Sequence, residues 1–216
     1  MMDDDDKATA ADAVAQSLAS KGDIPAAIQY LTDAQRTLNH YGLWHNLGRL
    51  QVSAGDYEGA IDSFSRAIQH DYNPSLVSRG LAYEYLLMNA EATADYLEAL
   101  RRDPGDLEAL INLGTLYVEE GQLPSARELL ERAAAIDPTA NWQLSDVYLE
   151  SADWNGAIAV ADLAIAAGEP RAHLARALAR EALGDDPVPD FRAAVEAGAR
   201  TAESELERYL VKRDRA

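Results

Sequence analysis

A recurring spacing constrains this chain more than any other feature of its sequence. Alanine, a bulky residue four positions on, and a second alanine three further occur at Ala27/Leu31/Ala34, Ala60/Phe64/Ala67, Ala92/Tyr96/Ala99 and Ala126/Leu130/Ala133, with a weaker copy at Ala157/Ala161/Ala164. The leading alanines lie 33, 32, 34 and 31 residues apart. A second series of small residues, Ala15, Gly48, Gly80, Gly114 and Ser145, keeps the same four spacings. A fixed period of this length marks a stack of short units, each of which must bury its apolar flank against its neighbours.

Each period reads as two helices. In the first, Trp44, Leu47 and Gly48, or Leu110, Leu113, Gly114 and Tyr117, make one apolar stripe at helical spacing. Gly22-Asp23, Gly55-Asp56 and Gly121-Gln122 supply corners, and Asn89 and Asp153 mark weaker ones. Leu87 stands where repeat three should have its corner glycine. Asp103-Pro104-Gly105 and Asp137-Pro138-Thr139 end second helices, because proline cannot continue a helix and biases the residue before it away from α. The small residue of the stripe removes bulk where two backbones cross, and Phe64, Tyr96 or Leu130 fills the adjacent space.

Trp44, Leu47 and Gly48, followed by the segment Gly55 to Ile61 and by Phe64, closely resemble the tetratricopeptide repeat. Repeat four matches equally well through Leu110, Leu113, Gly114, Tyr117, Gly121, Ala126, Leu130, Ala133 and Pro138. The resemblance implies an all-α fold: a right-handed α-solenoid of five to six antiparallel helix pairs with a C-terminal capping helix. The expected repeats are about 8–40, 41–72, 73–106, 107–137 and 138–169, with a divergent sixth at 170–199. In the sixth, Leu174, Ala175 and Leu178 fit one register, Ala177 and Gly184 another, and Pro187 and Pro189 delay its second helix to about Asp190. Residues 200–216 are expected to be the capping helix and tail, with Leu206, Tyr209 and Leu210 on its apolar side. Residues 1–7, MMDDDDK, match an enterokinase recognition sequence and are read as an expression-tag remnant.

Composition narrows the function. A formal charge of −18 argues against nucleic acid and anionic membranes, which demand excess cations; it fits either an acidic surface kept for solubility or a basic partner as its electrostatic complement. With no cysteine, disulfides, thiolate zinc sites and a cysteine nucleophile are excluded. No apolar run approaches a membrane span, and a cytoplasmic location is expected. Phosphate loops, dinucleotide fingerprints, nucleophile elbows and zinc motifs are lacking, and His40, His45, His70 and His173 have no ligand spacing. Neither an enzyme nor a cofactor or metal site is expected.

Tetratricopeptide stacks bind peptides on the face lined by their first helices, so the resemblance implies a protein-binding scaffold or adaptor. Its groove residues would be Asn46 and Arg49, with His45 beside them, then Val77, Leu81, Glu84 and Tyr85, then Ile111, Asn112, Thr115, Val118 and Glu119, and finally Trp142, Gln143, Asp146, Leu149 and Glu150. This set is apolar with acidic edges. It suits a peptide or protein segment with apolar anchors and basic residues, with Trp142 and Tyr85 as aromatic anchors. Asp12, Gln16, Arg49, Val77 and Leu81 occupy the places where the family's basic carboxylate clamp would need cationic side chains. Two other expectations are a self-assembling structural protein that forms homo-oligomers and a chaperone for a secreted or membrane-bound partner.

Overall fold

The computed structural model describes residues 3–199 and 201–213; Met1, Met2, Arg200 and the tail from Asp214 lie outside the described residues. Every regular element among them is helical, and the chain forms two compact units, Met1–Ala109 and Leu110–Ala216.

The N-terminal unit contains α1 (Asp4–Ser20), α2 (Ile24–Leu38), α3 (Tyr41–Ala54), α4 (Tyr57–Gln69), α5 (Pro74–Tyr85) and α6 (Asn89–Arg102). They pack as pairs, α1 with α2, α3 with α4 and α5 with α6, and the pairs stack through α2 on α3 and α4 on α5. Because α3 also touches α1 and α5, first helices of successive pairs lie side by side on one face. The Asp3 side chain caps α1 by accepting from the Asp6 amide at 2.8 Å, so Asp4 to Lys7 form a helical turn continuous with the first repeat.

The C-terminal unit takes up α7 (Leu107–Glu119) from Leu110 onward. It continues through α8 (Leu123–Ile136), a 3-10 turn at Pro138–Ala140, α9 (Asn141–Glu150), α10 (Trp154–Ala166), α11 (Ala172–Leu183), α12 (Val188–Glu196) and α13 (Ala202–Arg213). Each helix from α9 to α12 packs on the next, and α9 also touches α11, repeating the first-helix alignment.

The corners are built by a short rule. Seven residues after each small residue of the first helix comes a left-handed backbone, at Gly22, Gly55, Leu87, Gly121, Ala152 and Gly184. Asp23, Asp56 and Asp153 follow directly and cap the second helices, each accepting from the amide three residues on at 3.1, 3.0 and 2.9 Å. Such caps contribute about 1 kcal/mol apiece. Asn89 and Asp153 therefore do not form the weak corners themselves. Leu87 (φ +59°) and Ala152 (φ +56°) do, while Asn89 begins α6 and Asp153 caps α10.

The same rule resolves the sixth pair. Ala177 is fully buried and lies seven residues before Gly184, so its register is the one followed. Its second helix starts at Val188 instead of Asp190. Proline is tolerated in a first helical turn, whose amides have no intrahelical acceptor anyway, so Pro189 does not delay the helix.

Packing follows the small-and-large pattern. Ala27, Ala60, Ala92, Ala126 and Ala157 are all fully buried, as are Leu31, Phe64, Tyr96, Leu130 and Ala161 four residues on. Burying one large apolar side chain contributes about 1.5–3 kcal/mol. Two charged contacts are also enclosed. Arg79 grips Asp95 through two bonds of 2.7 Å. Asp190, nearly fully buried, accepts from Arg176 at 2.6 Å and Arg180 at 2.5 Å. The arginines neutralise carboxylates that would otherwise be unstable inside the fold.

Candidate functional site

First-helix positions lie on a common surface within each unit, and the small-residue series shows which ones. The residue immediately after each small residue lines a cavity: Gln16 and Arg49 in one, Arg49 and Leu81 in a second, and Thr115, Asp146 and Leu178 in a third. A helical side chain one position past the crossing point is turned off the packing stripe and onto the flank shared with the next first helix.

In the N-terminal unit, a cavity of about 340 Å³ lies between α1 and α3, lined by Asp12, Gln16, Asn46 and Arg49 among others. Asn46 donates its side-chain amide to Asp12 at 2.7 Å, so this expected peptide-binding group is held by the chain itself. A second cavity brings Arg49 and Leu81 together with Val52, Ser53, Phe64 and Ser78. Of four neighbouring expectations, Val77 and His45 are corrected, while Glu84 and Tyr85 are engaged by the chain itself. Val77 is 4% exposed and belongs to the core, because its helix turns it inward against the adjacent pair. Glu84 accepts from the Tyr96 hydroxyl at 2.6 Å. Tyr85 stacks on Tyr57 with ring centroids 4.6 Å apart, leaving one face open. His45 turns away from the groove to Ser75, 2.9 Å distant, and packs against Phe64 and Tyr72. Burial, and then the Arg49 charge, pushes its pKa down to about 4, keeping the ring neutral.

The C-terminal unit holds the most complete assembly. Thr115, Val118 and Glu119 from α7, Gln143, Asp146, Leu149 and Glu150 from α9, and Leu178 from α11 line one cavity of about 350 Å³. Seven expected groove residues thus come together, joined by Leu178, which was missed. Its signal was the spacing of Ala177 to Gly184, which places Leu178 one residue past the crossing point. Burial, followed by the charge of Glu150, pushes the Asp146 pKa up to about 6. Ile111 and Asn112 are half-buried and lie outside this lining. Trp142 also lies outside it. Its ring sits under the Arg171 guanidinium at 4.5 Å and packs with Ala161, Ala164 and Ala172, so it is a packing residue and not an offered anchor.

Among the described residues, no helix is long and apolar enough to cross a membrane, and no cluster of three or more histidine or acidic side chains could hold a metal ion.

Stacked helix pairs with a cavity-bearing first-helix face define an α-helical repeat scaffold of the α-solenoid class. The chain belongs to the tetratricopeptide repeat family: two family models, both described as Tetratricopeptide repeat, match residues 13–75 and 88–145. A probable UDP-N-acetylglucosamine–peptide N-acetylglucosaminyltransferase SPINDLY from Solanum lycopersicum is 31% identical over 83 residues, 38% of this chain and 8% of that protein. The chain spans only 8–12% of the length of the curated relatives it matches. Among solved structures, PilF from Pseudomonas aeruginosa superposes with a TM-score of 0.75 at 16% identity, covering 97% of this chain and 99% of that one. YrrB, described as a TPR protein with an unusual peptide-binding site, superposes with a TM-score of 0.59 at 20% identity, covering 79% of this chain and 88% of that one. At these identities the superpositions establish the fold. The family mediates protein–protein interaction, and its repeats are typically non-catalytic.

Proposed function

We propose that this protein is an interaction scaffold that captures a polypeptide segment on its first-helix face, and that the segment carries apolar anchors and basic residues. The observation that carries this reading is the cavity shared by α7, α9 and α11, where Val118, Leu149 and Leu178 are grouped with Glu119, Asp146 and Glu150. Apolar side chains offer burial while the carboxylates select for positive charge, and the formal charge of −18 draws basic segments from a distance. In the N-terminal unit, Leu81, 38% exposed, offers an apolar position in a separate cavity that it lines with Arg49. A peptide-binding site is named for YrrB, which shares the fold. The SPINDLY match is confined to 83 residues, 8% of that protein, and carries no argument for transferase activity.

Selection from a displayed library of random twelve-residue peptides tests this reading. The wild-type protein should enrich sequences combining Leu, Ile or Phe with Lys or Arg, and Leu149→Asp should abolish the enrichment while its thermal unfolding stays cooperative. Enrichment that is acidic, or that survives Leu149→Asp, would overturn it. Self-association would appear instead as a rise in molar mass across a light-scattering concentration series.

A further inference from the structure

The second helices turn one row of positions outward, the residues two, six and nine places after each leading alanine. On α2, α4 and α6 this row is ionic: Asp33 pairs with Arg36 at 2.7 Å, Asp62 with Arg66 at 3.0 Å and Glu98 with Arg101 at 2.6 Å. On α10 the same positions hold Ala159, Leu163 and Ala166, all exposed, and the Leu163 side chain is among the large apolar groups most open to solvent. Asp162, the one ionisable side chain within α10, is neutralised by Arg176 of α11. α10 packs on α9 and α11, and no described element covers its outer side. A surface helix ordinarily sets polar residues on that side, and a helix apolar all round is one that something buries.

We propose that α10 is the centre of a two-fold contact between two copies of this chain, α10 lying against α10 with Leu163 of each copy packed on the alanines of the other. Ala159 and Ala166 carry no bulk beyond Cβ, so two such helices can approach closely, and Leu163 fills the space that the small residues leave. The proposal goes beyond segment capture and does not depend on it.

Charge favours a second copy as the occupant. On the second helices either side of α10, Glu128 stands four residues before Arg132 on α8, and Arg192 stands four residues before Glu196 on α12. With the two α10 helices antiparallel, α8 faces α8 and α12 faces α12, so Glu128 meets Arg132 of the second copy and Arg192 meets Glu196 of the second copy. With them parallel, α8 faces α12 and acid again meets base. Such self-complementarity is what a contact between identical patches requires. It acts locally against the long-range repulsion of two chains of formal charge −18, which salt screens. A contact centred on one helix is small, so the association is weak and depends on concentration.

Light scattering of the full chain across a concentration series, at low and raised salt, reads the dimer. The wild type should pass from monomer to dimer mass, and salt should strengthen the association. Leu163→Glu and Ala159→Arg, at exposed positions and of opposite charge, should each weaken it at least tenfold while circular dichroism stays unchanged. Because the chain has no cysteine, Leu163→Cys should give a disulfide-linked dimer on mild oxidation, and Leu97→Cys on α6, also exposed, should not. A wild type that stays monomeric throughout, dimers left intact by both charged variants, or equal cross-linking by Leu97→Cys would overturn the contact. Dimers lost in Leu149→Asp and kept in Leu163→Glu would overturn it in favour of self-docking on the first-helix face. Peptide enrichment by a monomeric wild type rejects the α10 contact alone, whereas dimers lost in Leu163→Glu, without peptide enrichment in any variant, reject segment capture alone.

Discussion

Gly48 lies so close to the ring of Phe64 that a Cβ at position 48 would sit 2.6 Å from the ring edge. Gly80 stands in the same relation to Tyr96 at 2.6 Å, and Gly114 to Leu130 at 2.7 Å. The missing side chain is thus the means by which two helices of a pair approach. Gly48→Ala should destabilise the N-terminal unit by about 1–3 kcal/mol through overpacking, despite the better helix propensity of alanine. Urea unfolding reads the change, and a variant as stable as the wild type would show that Phe64 can move aside without cost.

Leu87 offers a gain. It has φ +59° with its side chain 87% exposed, so it carries backbone strain with little packing in return. Leu87→Gly should raise stability by a few tenths to about 1 kcal/mol, relief of strain outweighing the greater freedom of glycine in the unfolded chain. Thermal unfolding would contradict this by showing a lower midpoint for the variant.

His45 makes the N-terminal unit sensitive to acid. Its folded pKa of about 4 lies below the ordinary histidine value near 6.5, so the unfolded chain takes up the proton first. The stability contribution is present above about 6.5 and is lost progressively as pH falls towards 4. His45→Gln should flatten that part of the pH–stability curve without abolishing the contributions of other groups. Urea midpoints measured between pH 7 and pH 4 test it, and parallel curves for the two proteins would remove His45 as a cause.

Asp146 acts with the opposite sign. Its pKa is raised to about 6, above the ordinary aspartate value near 3.9. The favourable neutral form is fully available below 3.9, and its contribution is lost as pH rises through about 6. Asp146→Asn should therefore stabilise the C-terminal unit by on the order of 1 kcal/mol at pH 8 and have little effect at pH 4. Hydrogen exchange in α9 would contradict this if the variant were less protected at pH 8.

The helix pairs were legible because Gly48 with Phe64 and Gly114 with Leu130 impose spacing on the sequence itself. Corners were legible where glycine occupied the left-handed position. At Leu87 and Ala152 the left-handed backbone is imposed by the adjoining helices and residue type does not reveal it; the repeat period still placed the corner at Leu87, whereas Ala152 was passed over for Asp153. For the cavity lining, Thr115, Asp146 and Leu149 could be placed from helical phase alone. Val77 and Trp142 could not, because phase places a side chain on a flank without showing whether a neighbouring helix covers that flank. Leu178 was hidden by the irregular second helix of the sixth pair, whose bulky Phe191 lies 14 residues after Ala177, where Gly48 and Phe64 are 16 apart.

Mapping an enriched peptide onto the protein by methyl NMR tests the binding face most directly. Leu97, Ile136 and Leu163 on the second helices are 50%, 51% and 57% exposed and provide an internal contrast. The shifts should fall on Val118, Leu149 and Leu178 and leave those three unchanged; shifts confined to Leu97, Ile136 and Leu163 would contradict binding on the first-helix face.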